Sequence, residues 1–180
     1  PRGRVGMLLV VPFRFSSGKC RELEFLVDTG AEVNLIRKDL VPSDCWSEAP
    51  KKLEFFTACG SPLRGGAKIC NGELMFQARQ VGLEGQELVR KFIGCTLYEA
   101  DIVCDGIISY SWLEKNQIAI FPHRGCLMLE GRDFSYWLFG DQLEDTIEAW
   151  DTLEIPGRPP KVKKKKGILG PDKLSDKQLD

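Results

Sequence analysis

Apolar residues recur in short runs along the first 131 positions, and their alternation with polar residues predicts β-strands. Residues 5–15 and 21–27 are apolar and β-branched runs, and a polar turn at residues 16–19 separates them. This arrangement is typical of a β-hairpin. A third apolar stretch, residues 33–36, precedes polar and proline-bearing sequence that predicts a loop up to Pro50.

The second half of this region continues in strands and contains one helical candidate. Apolar runs at residues 89–96 and 102–108 predict buried strands, and Ser111 is placed to cap a short helix over SWLEKNQ. Residues 118–121 and 126–129 predict a last hairpin. Many short strands with one brief helix predict an all-β barrel or sandwich.

A segment of small residues interrupts the strands near the middle of the chain. Residues 53–57 and 68–76 flank the sequence ACGSPLRGG, which carries three glycines and one proline. Glycine and proline weaken a central strand, so this composition favours a flexible, projecting hairpin.

The pattern changes near residue 132, which predicts a division into three parts. Residues 1–131 are expected to form the folded domain. Residues 132–155 combine an aromatic segment, FSYWLF, with DQLEDTIEAWDTLEI, whose spacing fits a short amphipathic helix. Residues 156–180 are basic, contain proline and have few large apolar residues, which predicts a disordered linker.

Composition narrows the function classes. The chain has 180 residues, of which 43% are hydrophobic and 28% are charged, and its formal net charge is −1. One domain is therefore expected, without a whole-molecule field that would attract nucleic acid or an acidic membrane. No apolar run is long enough to span a bilayer, so no membrane partner is expected.

A weak nucleic-acid contact is compatible with the basic run KVKKKK, although a solvated linker is favoured. Its lysines are Lys161, Lys163, Lys164, Lys165 and Lys166.

Cysteine and histidine usage argues against disulfide and metal chemistry. The seven cysteines are widely spaced and include no CxxC pair, which favours a reducing, cytoplasmic compartment. His123 is the only histidine and lies in a turn between strands, so neither a metal site nor a cofactor is expected.

The segment FLVDTGAEVNLI, residues 25–36, carries the candidate chemistry. An apolar strand runs directly into Asp28, and the small residues Thr29, Gly30 and Ala31 follow. A carboxylate at the end of a buried strand costs solvation free energy unless it is hydrogen-bonded or used in a reaction. The structural alternative is a plain Asp-Thr-Gly turn between two strands.

Three segments in this order, LVDTGA, FTACGSPLRGG and DGIISYSWLEKNQIAI, resemble the retropepsin family, the aspartic proteases of retroviruses and long-terminal-repeat retrotransposons. The resemblance covers residues 5–130 and implies a closed β barrel that works as a homodimer. It implies that Asp28 is the catalytic aspartate and that Thr29 and Gly30 complete its loop. The glycine-rich hairpin would be the flap that closes over substrate. The substrate-binding residues implied in the flap and pocket are Ala31, Ala58, Cys59, Gly60, Ser61, Ile107 and Ile108.

The carboxylate chemistry itself requires a second chain. Peptide hydrolysis by carboxylates needs two of them close together, one ionised and one protonated. Asp-Thr-Gly occurs once in this sequence and Asp-Ser-Gly does not occur. A two-fold axis between two copies of Asp28 would supply the pair.

One departure from the resemblance concerns Ser109, which follows Ile107 and Ile108 where the family usually has a glycine. Glycine suits this position because the strand passes close behind the catalytic loop, where a Cβ crowds the backbone. Ser109 is therefore expected either to be accommodated by a small shift or to mark a weakened enzyme.

The resemblance therefore implies a homodimeric aspartic endopeptidase that hydrolyses a retroelement polyprotein in the cytoplasm or within a retroelement particle. Two alternatives remain open at this point. One is a catalytically weak or inactive retropepsin-like module for dimerisation or peptide binding. The other is a cellular retropepsin-like domain inside a host protein.

Overall fold

A computed structural model describes residues 7–57 and 59–141. In these ranges the chain forms strands joined by short loops and three 3₁₀ turns, with one α-helix. The elements are β1 (Met7–Phe15), β2 (Cys20–Asp28), β3 (Leu35–Arg37), β4 (Ser47–Glu48), β5 (Phe55–Phe56), β6 (Pro62–Leu63), β7 (Gly65–Gly82), β8 (Gly85–Ala100), β9 (Gly106–Ser109), α1 (Tyr110–Lys115), β10 (Ile118–Phe121), β11 (Cys126–Glu130) and β12 (Ser135–Phe139).

Six strands close into a barrel in the order β1-β2-β9-β3-β8-β7, and β7 pairs back with β1. The closing pair places Phe13 beside Leu74 in antiparallel register. β9 runs parallel to β2, and β3 runs parallel to β8. This closed all-β barrel with one short helix confirms the predicted fold class, whereas the predicted homodimer stays a prediction.

The barrel core is built by alternate positions on its strands. On β1, Leu9, Val11, Phe13 and Phe15 are all buried, as the period of two along a strand requires when one face meets the core. The β1–β2 and β10–β11 hairpins confirm the two hairpins predicted at the ends of the domain.

The β7–β8 hairpin is longer than the apolar pattern predicts. It continues to a two-residue turn between Gly82 and Gly85, and Gly85 has a φ of +131°. Its outer part carries Gln77 and Arg79, which are buried although they are polar. These two residues interrupt the apolar runs from which a strand would be predicted.

Beyond the barrel, β12, β11 and β10 extend the sheet from the outer part of β7. β12 pairs Leu138 with Ala78 of β7 and with Leu127 of β11. The first part of the predicted extension, residues 132–155, is therefore continuous with the barrel sheet. The division of the chain into three parts stays a prediction, and the amphipathic stretch and basic linker lie outside the described residues.

Helix α1 begins two residues earlier than a cap at Ser111 would require. Ser109 is its N-cap, since the Ser109 hydroxyl accepts a hydrogen bond from the Trp112 backbone N–H at 3.2 Å. The prediction that Ser111 caps the helix was wrong, because Ser111 lies inside the first turn. Trp112 and Leu113 of the helix pack into the barrel core. The described part of the chain holds no helix with the length and apolarity that crossing a bilayer requires.

Candidate active site

Asp28 is the last residue of β2 and lies beside Ser109 of the parallel strand β9. The strand before it is a barrel strand whose Phe25 and Val27 are buried. Asp28 itself is half-buried, and Thr29 and Gly30 are exposed. Asp28 thus lies where strand β2 ends and the chain becomes exposed to solvent.

The turn after Asp28 fixes its carboxylate. The Gly30 backbone N–H donates to Asp28 Oδ1 at 2.9 Å, and the Ala31 N–H donates to the Asp28 carbonyl oxygen at 3.1 Å. A Cβ added at Gly30 would lie 3.2 Å from Asp28 Oδ1, which is a tight contact. Glycine at this position therefore leaves room for the carboxylate to approach the backbone.

The loop that follows Asp28 is hydrogen-bonded to the start of helix α1. The Tyr110 backbone N–H donates to the Ala31 carbonyl oxygen at 3.1 Å, and the Ser111 hydroxyl donates to the Glu32 carbonyl oxygen. Since α1 is itself anchored by Trp112 in the core, these bonds tie the loop to the barrel.

A buried asparagine supports the loop from behind. Asn34 Oδ1 accepts from the Ser109 backbone N–H and from the Ser109 hydroxyl, each at 2.9 Å. Asn34 Nδ2 donates to the Thr96 carbonyl oxygen and to Cys95 Sγ, each at 3.2 Å. The side chain of Asn34 thereby joins β8, β9 and the segment after Asp28. The sequence analysis missed this residue, and its one signal was a polar position inside the apolar run VNLI.

Ser109 is accommodated in the structure, which is the first of the two outcomes expected for it, and its effect on activity stays a prediction. It is buried at 1% exposure, and its hydroxyl both donates to Asn34 and accepts from Trp112. The close approach lies three residues earlier, at Gly106. A Cβ there would lie 2.5 Å from Cε1 of Phe25 and 3.1 Å from the Leu35 carbonyl oxygen.

The predicted flap is a short hairpin of β5 and β6, with Phe55 opposite Leu63. At its tip, Thr57 N–H donates to the Ser61 carbonyl oxygen and Gly60 N–H to the Thr57 carbonyl oxygen, both at 2.8 Å. Gly60 has a φ of +82°, a conformation that glycine adopts at no steric cost. Cys59, Gly60 and Ser61 are exposed at this tip, and Ala58 lies outside the described residues.

The remaining predicted pocket residues lie around the same loop. Ala31 and Ile107 are half-buried, and Ile107 pairs with Leu26 of β2. Ile108 is buried in the barrel core. The substrate-binding roles of these residues, and the catalytic roles of Asp28, Thr29 and Gly30, stay predictions.

Asp28 forms no ion pair with another described residue. Within residues 7–57 and 59–141, no group of three or more His, Cys, Asp or Glu side chains is placed to hold a metal ion. The chemistry available in one chain is thus that of a single carboxylate at the edge of solvent. Such a group can accept or donate one proton, but it cannot do both at once.

Comparison with known proteins found similarity to solved structures. No protein-family model matches the chain, and no curated protein matches it significantly. Among solved structures, it is similar to the crystal structure of the retroviral protease-like domain of Ddi1 from Leishmania major. The two chains are 19% identical with a TM-score of 0.40, and the alignment covers 78% of this chain and 99% of that one. A similarity of this degree carries no conclusion about activity or substrate.

Proposed function

We propose that this protein is an aspartic endopeptidase in which two copies of the chain each contribute Asp28. The observation that carries the proposal is the Asp28 turn, where a half-buried carboxylate is held by the Gly30 N–H at 2.9 Å. The turn is also tied to α1 by the Tyr110 N–H, which donates to the Ala31 carbonyl oxygen, and the chain just after it is held by the bonds between Asn34 and Ser109. Positioning of this kind is what a reacting carboxylate requires.

Two such carboxylates related by a two-fold axis would have different roles in catalysis. Like-charge repulsion lets one of them keep a proton while the other is ionised. The ionised carboxylate takes a proton from water, and the protonated one donates a hydrogen bond to the scissile carbonyl oxygen. Thr29 and Gly30 are exposed in the single chain, which leaves this loop open for a second copy.

The substrate we propose is an extended polypeptide held under the β5–β6 flap. Phe56 is 62% exposed on this hairpin, so an apolar side chain is available to cover a peptide. Cleavage of a retroelement polyprotein and a cytoplasmic location remain predictions from the sequence.

The proposal is tested by Asp28→Asn, which keeps the shape of the side chain but removes its acid–base chemistry. We expect cleavage of a peptide library to disappear while the circular dichroism spectrum is unchanged. Asp133→Asn, at an exposed loop position, is the matched control and should cleave like the parent protein. If the Asp28 variant cleaves as fast as the control, the catalytic assignment is wrong.

Mixing the two forms tests the pair of chains. An equal amount of the Asp28→Asn protein is added to a fixed amount of parent, and the subunits are allowed to exchange. Random pairing then reduces the number of parent dimers to roughly half. Activity should fall with them. An unchanged rate would show that one chain is sufficient, and no activity in any form would favour the non-catalytic module.

A further inference from the structure

The sheet has a second buried face, on the side opposite to the barrel core. Because side chains alternate along each strand, the register of β8, β7, β12, β11 and β10 places one set of residues together on this side. We call it the outer face, and its members include Gln86, Arg90, Arg79, Phe139, Cys126 and Phe121.

Part of the outer face is shielded from solvent to the same degree as a core. Arg79 and Phe139 are each 1% exposed, and Cys126 is 0% exposed. Yet the described elements that share substantial contacts are either neighbours in a sheet or α1 with β9 and β10. Helix α1 packs through Trp112 and Leu113 on the barrel side. Among the described elements, then, none outside this sheet has extensive close backbone contacts with the strands of the outer face.

The side chains of the outer face favour contact with a segment that is both acidic and apolar. Its polar part holds two guanidinium groups, of which Arg90 donates to Asp141 Oδ1 at 2.9 Å. Arg90 Nε and Nη2, and Gln86 Nε2, are buried without a hydrogen-bond partner among the described residues. Buried donors of this kind, above all charged ones, are costly unless acceptors reach them. The apolar part clusters Cys126 and Phe139 with Phe121 and Trp137.

The chain itself leads onto this face. Asp141 is the last described residue, and its side chain bonds Arg90 and Gln77 of the outer face. Residues 142–155 follow directly, and they include Glu144, Asp145, Glu148, Asp151 and Glu154 but no Lys or Arg. Leu143, Ile147 and Trp150 recur at the spacing of one helix face.

We propose that residues 142–155, the acidic segment, dock on the outer face of the sheet. Their carboxylates would meet Arg79 and Arg90, and their apolar residues would meet the cluster around Phe139. The folded unit would then extend past β12 to residue 155, whereas the sequence pattern alone places its boundary at residue 131. A second copy of the chain is the competing occupant, and the experiments below separate the two.

Hydrogen exchange on the unmodified full chain is the first test. We expect amides within residues 142–155 to be protected while those within 161–180 exchange at once, and we expect protection to be independent of protein concentration. Full-speed exchange across residues 142–155 would overturn the proposal. Protection of the outer face that is lost on dilution would assign the cover to a second copy instead.

Thiol labelling provides the second test, because Cys126 lies on the outer face and Cys95 in the barrel core. In full-length Ile147→Asp, we expect N-ethylmaleimide to label Cys126 about tenfold faster or more, through local opening, while Cys95 stays protected. Leu174→Asp makes the same chemical change outside the acidic segment and should label like the parent. Equal protection of Cys126 in both variants would contradict the docking.

Discussion

The hydroxyl of Ser109 lies 2.9 Å from Asn34 Oδ1, and this bond joins the strand behind Asp28 to the segment that follows the Asp-Thr-Gly turn. The two residues are 75 positions apart in the chain. Asn34 Oδ1 therefore accepts hydrogen bonds from both the backbone N–H and the hydroxyl of Ser109. The Ser109 hydroxyl in turn accepts a hydrogen bond from the Trp112 backbone N–H.

Removing the acceptor at Asn34 should lower the free energy of unfolding more than removing the hydroxyl of Ser109. We expect Asn34→Ala to lower the free energy of unfolding by about 1–3 kcal/mol, because it leaves the Ser109 N–H buried without a partner. Ser109→Ala should cost about 1 kcal/mol, since it loses a helix cap and one bond. Urea denaturation measures both. Asn71→Ala is the control, because its bond to Thr96 is exposed and its loss should be nearly neutral. A larger loss at Asn71 than at Asn34 would contradict the supporting role.

Gly30→Ala should separate activity from stability. The added Cβ would lie 3.2 Å from Asp28 Oδ1, so the carboxylate must shift while the strand below is unchanged. We expect cleavage to fall by about tenfold or more, since small displacements of a reacting group are costly in rate. The melting temperature should change little. A variant that keeps the parent's rate would show that the Gly30–Asp28 contact does not position the carboxylate.

Gly106→Ala tests the close approach behind the catalytic strand. Its Cβ would overlap the Phe25 ring at 2.5 Å, and such overpacking typically costs about 1–3 kcal/mol. Gly94→Ala is the matched control in another barrel strand, because a Cβ there meets nothing within 4 Å. Thermal unfolding should show a lower melting temperature for Gly106→Ala only. Equal melting temperatures would mean that Phe25 moves aside without cost.

Alkaline pH should destabilise the fold through its buried thiols. Burial raises the pKa of Cys70 to about 12 from an ordinary value of 9.0. Above pH 9 the unfolded chain loses this proton and the folded chain keeps it. The contribution of the thiol to stability is therefore complete below pH 9 and is lost as the pH rises toward 12. The expected slope is about 1.4 kcal/mol per pH unit.

Urea unfolding at several pH values measures this slope in variants of two cysteines. Cys70→Ala should make the loss of stability above pH 9 shallower than in the parent. Cys59 is exposed, so Cys59→Ala should keep the parent's slope. The same slope in all three proteins would rule out Cys70 as a source of the alkaline loss.

The support of the candidate site shows where prediction from the sequence stops. The Asp28 turn was visible because an apolar run ends in an acid followed by small residues. The hydrogen bonds of Ser109 could not be predicted, because a comparison of motifs shows only that a side chain replaces a hydrogen atom and cannot show that Asn34 and Trp112 bond to it. Gly106 was missed for the same reason, since its neighbour Phe25 belongs to a different strand.

By itself, the sequence determined the β1–β2 and β10–β11 hairpins, the β5–β6 hairpin and the position of Asp28 at a strand end. Those features follow from local periodicity and from turn residues, which act over a few positions of the chain. Only the tertiary structure decided that Asn34 and Ser109 hold the turn, that β7 and β8 continue past the barrel, and that β12 joins its sheet. These depend on strand pairing and on hydrogen bonds between residues far apart in the chain, which no local pattern encodes.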